Sequence, residues 1–278
     1  MSILVFTLII FAGAFLAGLL GSLTGLGGGV IIIPMLTLIF HVDIRYAIGA
    51  SLISVIATSS GAAAAYVKEG ISNIRIGMFL EIATTIGAVI GAMIAVYAPT
   101  SLIAVLFGGI LLVSAGISLR KKKETIVHTP SRAASLLKLN SSYPGMDGNE
   151  IHYTVANVPG GFFMMTIAGV LSGLLGIGSG ALKVVAMDNI MKLPFKVSTT
   201  TSNFMIGVTA AASAGVYLGR GYIDPGLSMP VILGVLLGAY FGSKVLVSAQ
   251  TKTLRLIFAV VISFLALQMI YNGITGGI

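Results

Sequence analysis

The residues of this chain with the clearest chemical meaning stand in two short glycine-rich stretches. One is Gly25-Leu26-Gly27-Gly28-Gly29 and the other is Gly176-Ile177-Gly178-Ser179-Gly180. Glycine runs break a helix, because glycine loses the most backbone entropy on ordering and leaves peptide groups uncovered. Each run is followed by a second apolar stretch, whose first turn leaves its N–H groups free and turns its positive dipole end toward the break. A helix start of that kind binds anions. The candidate contacts are Gly27, Gly28, Gly29 and Val30 at the first break, and Gly178, Ser179, Gly180 and Ala181 at the second. A plainer account is that the glycines only let helices pack closely. The runs interrupt apolar segments instead of lining intact ones, which favours the ligand reading.

Lys183 follows Gly180 by three residues and falls in the first turn of the second stretch. The helix dipole opposes a cation there, and a lysine buried in a bilayer is costly. Something negative should compensate it, either a bound anion or Asp188. Snorkelling to the cytoplasmic edge is the alternative, and a depth of about one turn from the break argues against it. The segments that come next carry hydroxyls and an amide: Ser51, Ser54, Thr58, Ser59 and Ser60, then Thr199, Thr200, Thr201, Ser202, Asn203 and Thr209. Such donors can hold an oxyanion without fixing a full charge in the membrane. Most Ser and Thr in apolar helices bond back to their own backbone. Ser51, Ser202 and Asn203 stand out, because they lie near helix starts and Asn203 interrupts an apolar face. Glu81 could relay protons, but it reads more readily as a first-turn carboxylate at a helix N-terminus near the cytoplasmic face. His41, His128 and His152 are scattered through loops, and no His/Glu spacing suits a metal. No Ser/His/Asp set falls in the membrane, and the absence of cysteine removes disulfides, thiolate metal sites and cysteine nucleophiles. No cofactor, metal or enzyme is indicated.

These residues must be positioned by membrane helices. Of 278 residues, 56% are hydrophobic and 9% charged, against about 25% charged in soluble domains. The chain reads as an integral membrane protein with the lipid bilayer as a partner. Its net charge of +8 belongs to cytoplasmic loops and not to a nucleic-acid surface. The first apolar segment begins at Ile3 without a basic lead or a small-residue cleavage site, so it is expected to be retained and not a signal peptide. It covers 3–21, and 22–29 breaks it. Residues 30–40 form an apolar run of 11, roughly 16 Å as a helix and about half the hydrocarbon core. After a polar turn at 41–45, segments 46–67, 76–97 and 101–119 are long enough to span. Residues 120–158 are soluble in character. There, 136–139 and 151–155 flank a turn at 144–149, which suggests a small β-hairpin or ribbon. A disordered basic linker is the alternative.

The second half repeats the first at a constant offset, Gly25 to Gly176. Between Ala17 and Gly29, 7 of 13 positions are identical to their counterparts, and Ser51/Ser202, Thr58/Thr209, Tyr66/Tyr217 and Gly87/Gly238 continue the register. Basic residues then set the topology. If each broken segment returns to its own side, 13 basic residues lie inside and two, Arg45 and Arg220, outside. If each crosses once, the split is 9 to 6. The first arrangement is favoured. It places both termini outside and 120–158 in the cytoplasm. It also makes the repeats inverted, with their glycine tips meeting near the midplane, a recurrent plan among secondary transporters. The expected fold is therefore an all-α integral membrane protein of two inverted repeats, each a Gly-broken helical hairpin plus three transmembrane helices. Repeat 1 occupies 1–119, the cytoplasmic loop 120–158 and repeat 2 159–278.

The spacing of Gly18, Gly25-Leu26-Gly27-Gly28-Gly29, Pro34 and Leu36, with a second copy over 169–187, resembles the TauE/SafE (TSUP) family of sulfite exporter-like membrane proteins. The resemblance covers both repeats and leaves out the central loop. The second copy departs from the motif, with Ser179 for the middle glycine and Val185 where proline is usual. Lys183-Val184 followed by 196–203 looks like one subgroup of the family. The resemblance implies that a small anion, often sulfur-containing (sulfite, thiosulfate or an organosulfonate), is moved without ATP in the cell membrane. An anion channel of the same architecture and a membrane scaffold that moves nothing are the alternatives. A homo-oligomer is compatible with the sequence, and nucleic acid is not an expected partner.

Overall fold

The computed structural model describes residues 3–24, 28–68, 71–119, 131–144, 149–246 and 251–277. Helix α1 spans Ile3–Thr24, and a short helix α2, Gly29–Pro34, follows the first glycine break. Then come α3 (Ile44–Lys68), α4 (Ile74–Tyr97) and α5 (Thr100–Leu119). The second half repeats this order with α7 (Val158–Leu175), α8 (Gly180–Val185), α9 (Phe195–Gly219), α10 (Pro225–Leu246) and α11 (Thr251–Thr275). Between the halves lie a one-turn helix α6 (Arg132–Leu136) and an antiparallel ribbon of β1 (Ser141–Pro144) and β2 (Glu150–Tyr153). The protein is thus an all-α membrane protein with one small ribbon. Ile74–Tyr97, Val158–Leu175 and Pro225–Gly242 are each long and apolar enough to cross a bilayer, and shorter apolar stretches occur in other helices. The outward face of α4 carries Met78, Ile82, Ile86 and Ile90, all exposed, while its Leu80, Ala83, Gly87 and Ala88 are buried. A helix apolar on both faces is the signature of one surrounded by lipid and protein.

The packing exchanges helices between the halves. Helix α1 lies along α10, α7 along α4, α3 along α9, and α5 along α11. Matching glycines make these approaches. A Cβ on Gly18 would collide with the Val235 backbone, and one on Gly169 with the Thr84 backbone, at the position equivalent to Val235. With no Cβ, the helix backbones come into direct contact, as in small-residue interfaces within membranes.

Local structure repeats at the same offset. After α2 the helix widens into a π-helical turn at Met35–Ile39, and after α8 it does so at Ala186–Ile190. Pro34 precedes the first, while Val185 precedes the second, so proline is not what creates the turn. Both turns end on a left-handed residue, His41 (φ 52°) and Lys192 (φ 58°). Both close with matching backbone bonds, Val42 N to Leu36 O and Leu193 N to Met187 O, each 3.0 Å.

The central segment corrects the sequence reading in one respect. The first strand is Ser141–Pro144, not 136–139, which instead closes α6 as a turn. The part of the loop described is docked and does not hang free. Asn73 caps α4 through its side-chain oxygen and donates from its amide nitrogen to Leu139 O (3.1 Å) and Tyr153 Oη (2.8 Å). Tyr143, Tyr153 and Val155 pack in one cluster with Ile76, Met187, Leu193 and Met205. Burial pushes the Tyr153 phenol above its ordinary ionisation range, with the Asn73 bond acting the other way. The most basic stretch, 120–130, lies outside the described residues.

Candidate functional site

The two glycine breaks come together in the interior. Gly27 lies outside the described residues. Gly28 precedes α2, and its carbonyl accepts the amides of Ile31 and Ile32 at 3.1 and 3.2 Å. Gly29 and Val30 are buried, and a Cβ on Gly29 would stand 3.5 Å from the carbonyl oxygen of Gly176 in the opposite break. Gly176 (φ +68°), Gly178 (φ +69°) and Ser179 (φ 44°) are left-handed. Left-handed backbone at three of four residues reverses the chain within a few ångströms, which is what glycine permits and other residues resist. Ser179 tolerates it as an uncommon non-glycine case. Gly180 and Ala181 open α8.

Ser51 and Ser202 hold the second break from both sides. Ser51 Oγ, on α3, donates to Gly176 O at 2.9 Å, and Ser202 Oγ, on α9, donates to Gly180 O at 3.2 Å. Their equivalence carries into packing: Gly29 abuts Ser51 and Val55, and Gly180 abuts Ser202 and Ile206. Ser54, Thr58, Ser60, Thr199 and Thr200 do bond back to their own helices, as expected of hydroxyls in apolar segments. Asn203 is half-buried on α9 beside Ser202.

A cavity of about 10 Å³, room for a single water, lies between the breaks. It is lined by Val30 from the first, Ile177, Ser179, Gly180 and Leu182 from the second, and Ile110 and Ser114 from α5. The Ser179 hydroxyl is buried and has no hydrogen-bond partner among the described residues. An orphaned buried hydroxyl on a small, mostly apolar cavity leaves a donor for a ligand or a water.

Lys183 is fully buried, and its ammonium turns away from that cavity toward α4 and α9. It donates to Thr209 Oγ1 and lies 4.0 Å from Glu81 Oε2. Thr209 donates in turn to Glu81 Oε1 at 2.6 Å, and Thr85 donates to the same oxygen at 3.2 Å. This corrects two expectations. The carboxylate beside Lys183 is Glu81, not Asp188, and Glu81 is not in the first turn of a helix. Helix α4 begins at Ile74, so Glu81 stands two turns inside, buried. Glu81 and Thr209 were therefore missed as members of the interior polar cluster. The available signal was that two opposite charges, Glu81 and Lys183, stand inside apolar segments of different halves, where a lone charge is costly. Among the described residues no cluster of His, Cys, Asp and Glu could hold a metal ion.

Comparison with known proteins accords with this architecture. The profile of the family described as "Sulfite exporter TauE/SafE" matches residues 10–269. The chain is 29% identical over 273 residues to the "Probable membrane transporter protein YunE" of Bacillus subtilis, covering 93% of this chain and 95% of that protein. It is 29% identical over 231 residues to the "Probable membrane transporter protein YdhB" of the same organism, covering 83% and 86%. It is 25% identical over 282 residues to the "Probable membrane transporter protein MJ0441" of Methanocaldococcus jannaschii, covering 96% of each. No solved structure matches the chain. These names are those of transporters and not of enzymes. A helical membrane protein whose two glycine breaks lie together, and a match over nearly the whole chain, lead to one conclusion: the chain belongs to the TauE/SafE sulfite exporter family of membrane transporters.

Proposed function

We propose that this protein is a secondary transporter of a small anion, a sulfur oxyanion or organosulfonate, bound near the membrane midplane between its two glycine breaks. The observation that carries this reading is the meeting of the breaks, where Ser51 of one half holds the Gly176 carbonyl of the other at 2.9 Å. Irregular backbone at membrane depth is tolerated where it is enclosed in protein or lines a cavity. The peptide groups of Gly28–Val30 and Gly178–Ala181, with Ser179 and Asn203, supply uncharged donors, and Ser51 and Ser202 hold the break that presents them. Lys183, whose ammonium rests on Thr209 and Glu81 in this structure, supplies a buried cation that can turn toward the anion. The exchanged packing of α1 on α10 and α7 on α4 is what two repeats related by an axis in the membrane plane would give. On this reading 1–119 and 159–278 are the inverted repeats. Residues 120–158 form a loop on the cytoplasmic side of the cell membrane.

The tight packing at the breaks favours a carrier that must change shape over an open channel. The test is flux in proteoliposomes with sulfite, thiosulfate, methanesulfonate and sulfoacetate. Saturable counterflow of at least one is expected. Flux equal to that of empty liposomes across the panel would show that the protein is not such a carrier, and unitary currents would make it a channel.

A further inference from the structure

The repeat symmetry fails at one place. At the constant offset, Lys183 corresponds to Ile32, Thr209 to Thr58, and Glu81 to Ile232. The symmetry-related pair, Ile32 of the first half and Ile232 of the second, is thus apolar where Lys183 and Glu81 build a buried charged cluster. Ile32 is fully buried, as is Lys183. The architecture does not need the charges, since its other copy of the same packing does without them. A buried ion pair is weak evidence for stability, and ionisable groups within a membrane protein's interior mark ion pathways and relays.

The pair is also incompletely satisfied. Glu81 Oε1 accepts from Thr209 and Thr85. Glu81 Oε2 is buried, has no hydrogen-bond partner among the described residues, and faces Lys183 at 4.0 Å. Few other charges reach it. Helix α7 carries no titratable residue, and the cations of α9, Lys196 and Arg220, are exposed at its ends. Tyr217 of α9 donates instead to Gly173 O, and Arg45 of α3 bonds the far end of α4 at Ala95 and Ala98. Lys183 is the one cation that faces this carboxylate among the described residues.

We propose that Glu81 is the coupling site of the transporter, taking up a proton when the anion enters. This rests on the anion-carrier reading above. With the site empty, Lys183 and Glu81 cancel. An anion at the breaks, while the Lys183 ammonium stays turned to Glu81, leaves the interior with one uncompensated negative charge, which a low-dielectric interior does not tolerate. Protonation of Glu81 at Oε2 removes it. Lys183 is then released to serve the anion, with Thr209 bridging the two states. Anion and proton leave together on the other side, and Glu81 returns to Lys183. Each monovalent anion crosses with one proton, and the cycle moves no net charge.

Wild-type protein is reconstituted with a pH-sensitive dye inside the vesicles, and methanesulfonate is applied outside. Methanesulfonate is a strong acid, so it carries no proton of its own. Anion entry and lumenal pH are followed together. The proposal expects the lumen to acidify in step with entry, one proton per anion. Clamping the voltage with potassium and valinomycin should leave the rate unchanged. Glu81→Gln should cut the proton-to-anion ratio about tenfold or more at whatever rate it still moves the anion, since an amide cannot take up the proton. Entry without acidification, entry that requires sodium, or an unchanged ratio in Glu81→Gln would each overturn the coupling role and leave the carrier reading standing. No flux of methanesulfonate, thiosulfate, sulfoacetate or sulfite in the wild type would overturn the carrier reading and this proposal with it. The wild-type arm decides the matter alone if the variant does not fold.

Discussion

Lys183 and Glu81, 102 residues apart in sequence, meet in the interior with Nζ 4.0 Å from Oε2. One comes from each half of the chain, and Thr209 bridges them. Breaking a buried pair by removing one partner costs about 3–5 kcal/mol, because the other charge is left uncompensated. Lys183→Met is therefore expected to destabilise the protein by about that much, and Lys183→Met with Glu81→Gln to recover most of it. Thermal unfolding of the purified variants in detergent measures this. Asp188→Asn should leave the Lys183→Met loss unrescued. If it is Asp188→Asn that rescues, the pairing drawn here is wrong.

Ser51 supports the second break from the opposite half. Ser51→Ala leaves the Gly176 carbonyl without its donor, a loss of about 1–3 kcal/mol if the group stays dry. The change should loosen the break more than it unfolds the protein. Faster hydrogen exchange at 176–180 than in the wild type is the expected sign. Ser54→Ala, which removes a bond within one helix, should leave that segment unaltered.

Gly178 is left-handed, and a Cβ there would lie 2.8 Å from Ile206 Cγ2. Gly178→Ala adds about 1–2 kcal/mol of backbone strain to that contact. It should lower thermal stability, and Gly178→Ala with Ile206→Leu should recover part of the loss, because leucine carries no methyl on Cβ. Gly215→Ala, where nothing lies within 4 Å, should be neutral or stabilising.

The topology reading places 120–158 in the cytoplasm. The chain has no cysteine, so single cysteines report accessibility cleanly. A cysteine at position 130 should resist an impermeant thiol reagent in intact cells and react after permeabilisation. A cysteine at 221, next to Arg220, should behave in the opposite way. Labelling of 130 from outside would reverse the orientation.

Much of this architecture was legible because it is local. The repeat register, the broken hairpins and the long spans follow from glycine placement and apolar runs. So does the back-bonding of Ser54 and Thr200. Two features were not legible. The π-helical turns occur after Pro34 and after Val185 alike, so no single residue type announces them. The Glu81 contact arises from packing between α4, α8 and α9, and no sequence spacing encodes it. Thr209 could be set aside as a back-bonding hydroxyl, and it does accompany Met205 O at 2.9 Å, but it serves Glu81 as well. The first strand was misplaced because Leu136–Leu139 is as apolar as a strand, while the polar Ser141–Pro144 makes the pairing.

The most direct test of the central claim is protection at Ser179, whose hydroxyl lines the cavity between the breaks. Ser179→Cys introduces one thiol into an otherwise cysteine-free chain and keeps the residue's size. In proteoliposomes that carry out methanesulfonate or thiosulfate counterflow, a small methanethiosulfonate reagent should label this cysteine and stop the flux. Saturating transported anion should slow the labelling about tenfold or more, as occupancy of a shared site requires. Labelling at the same rate with and without saturating anion, in protein shown to be transporting it, would place the anion elsewhere.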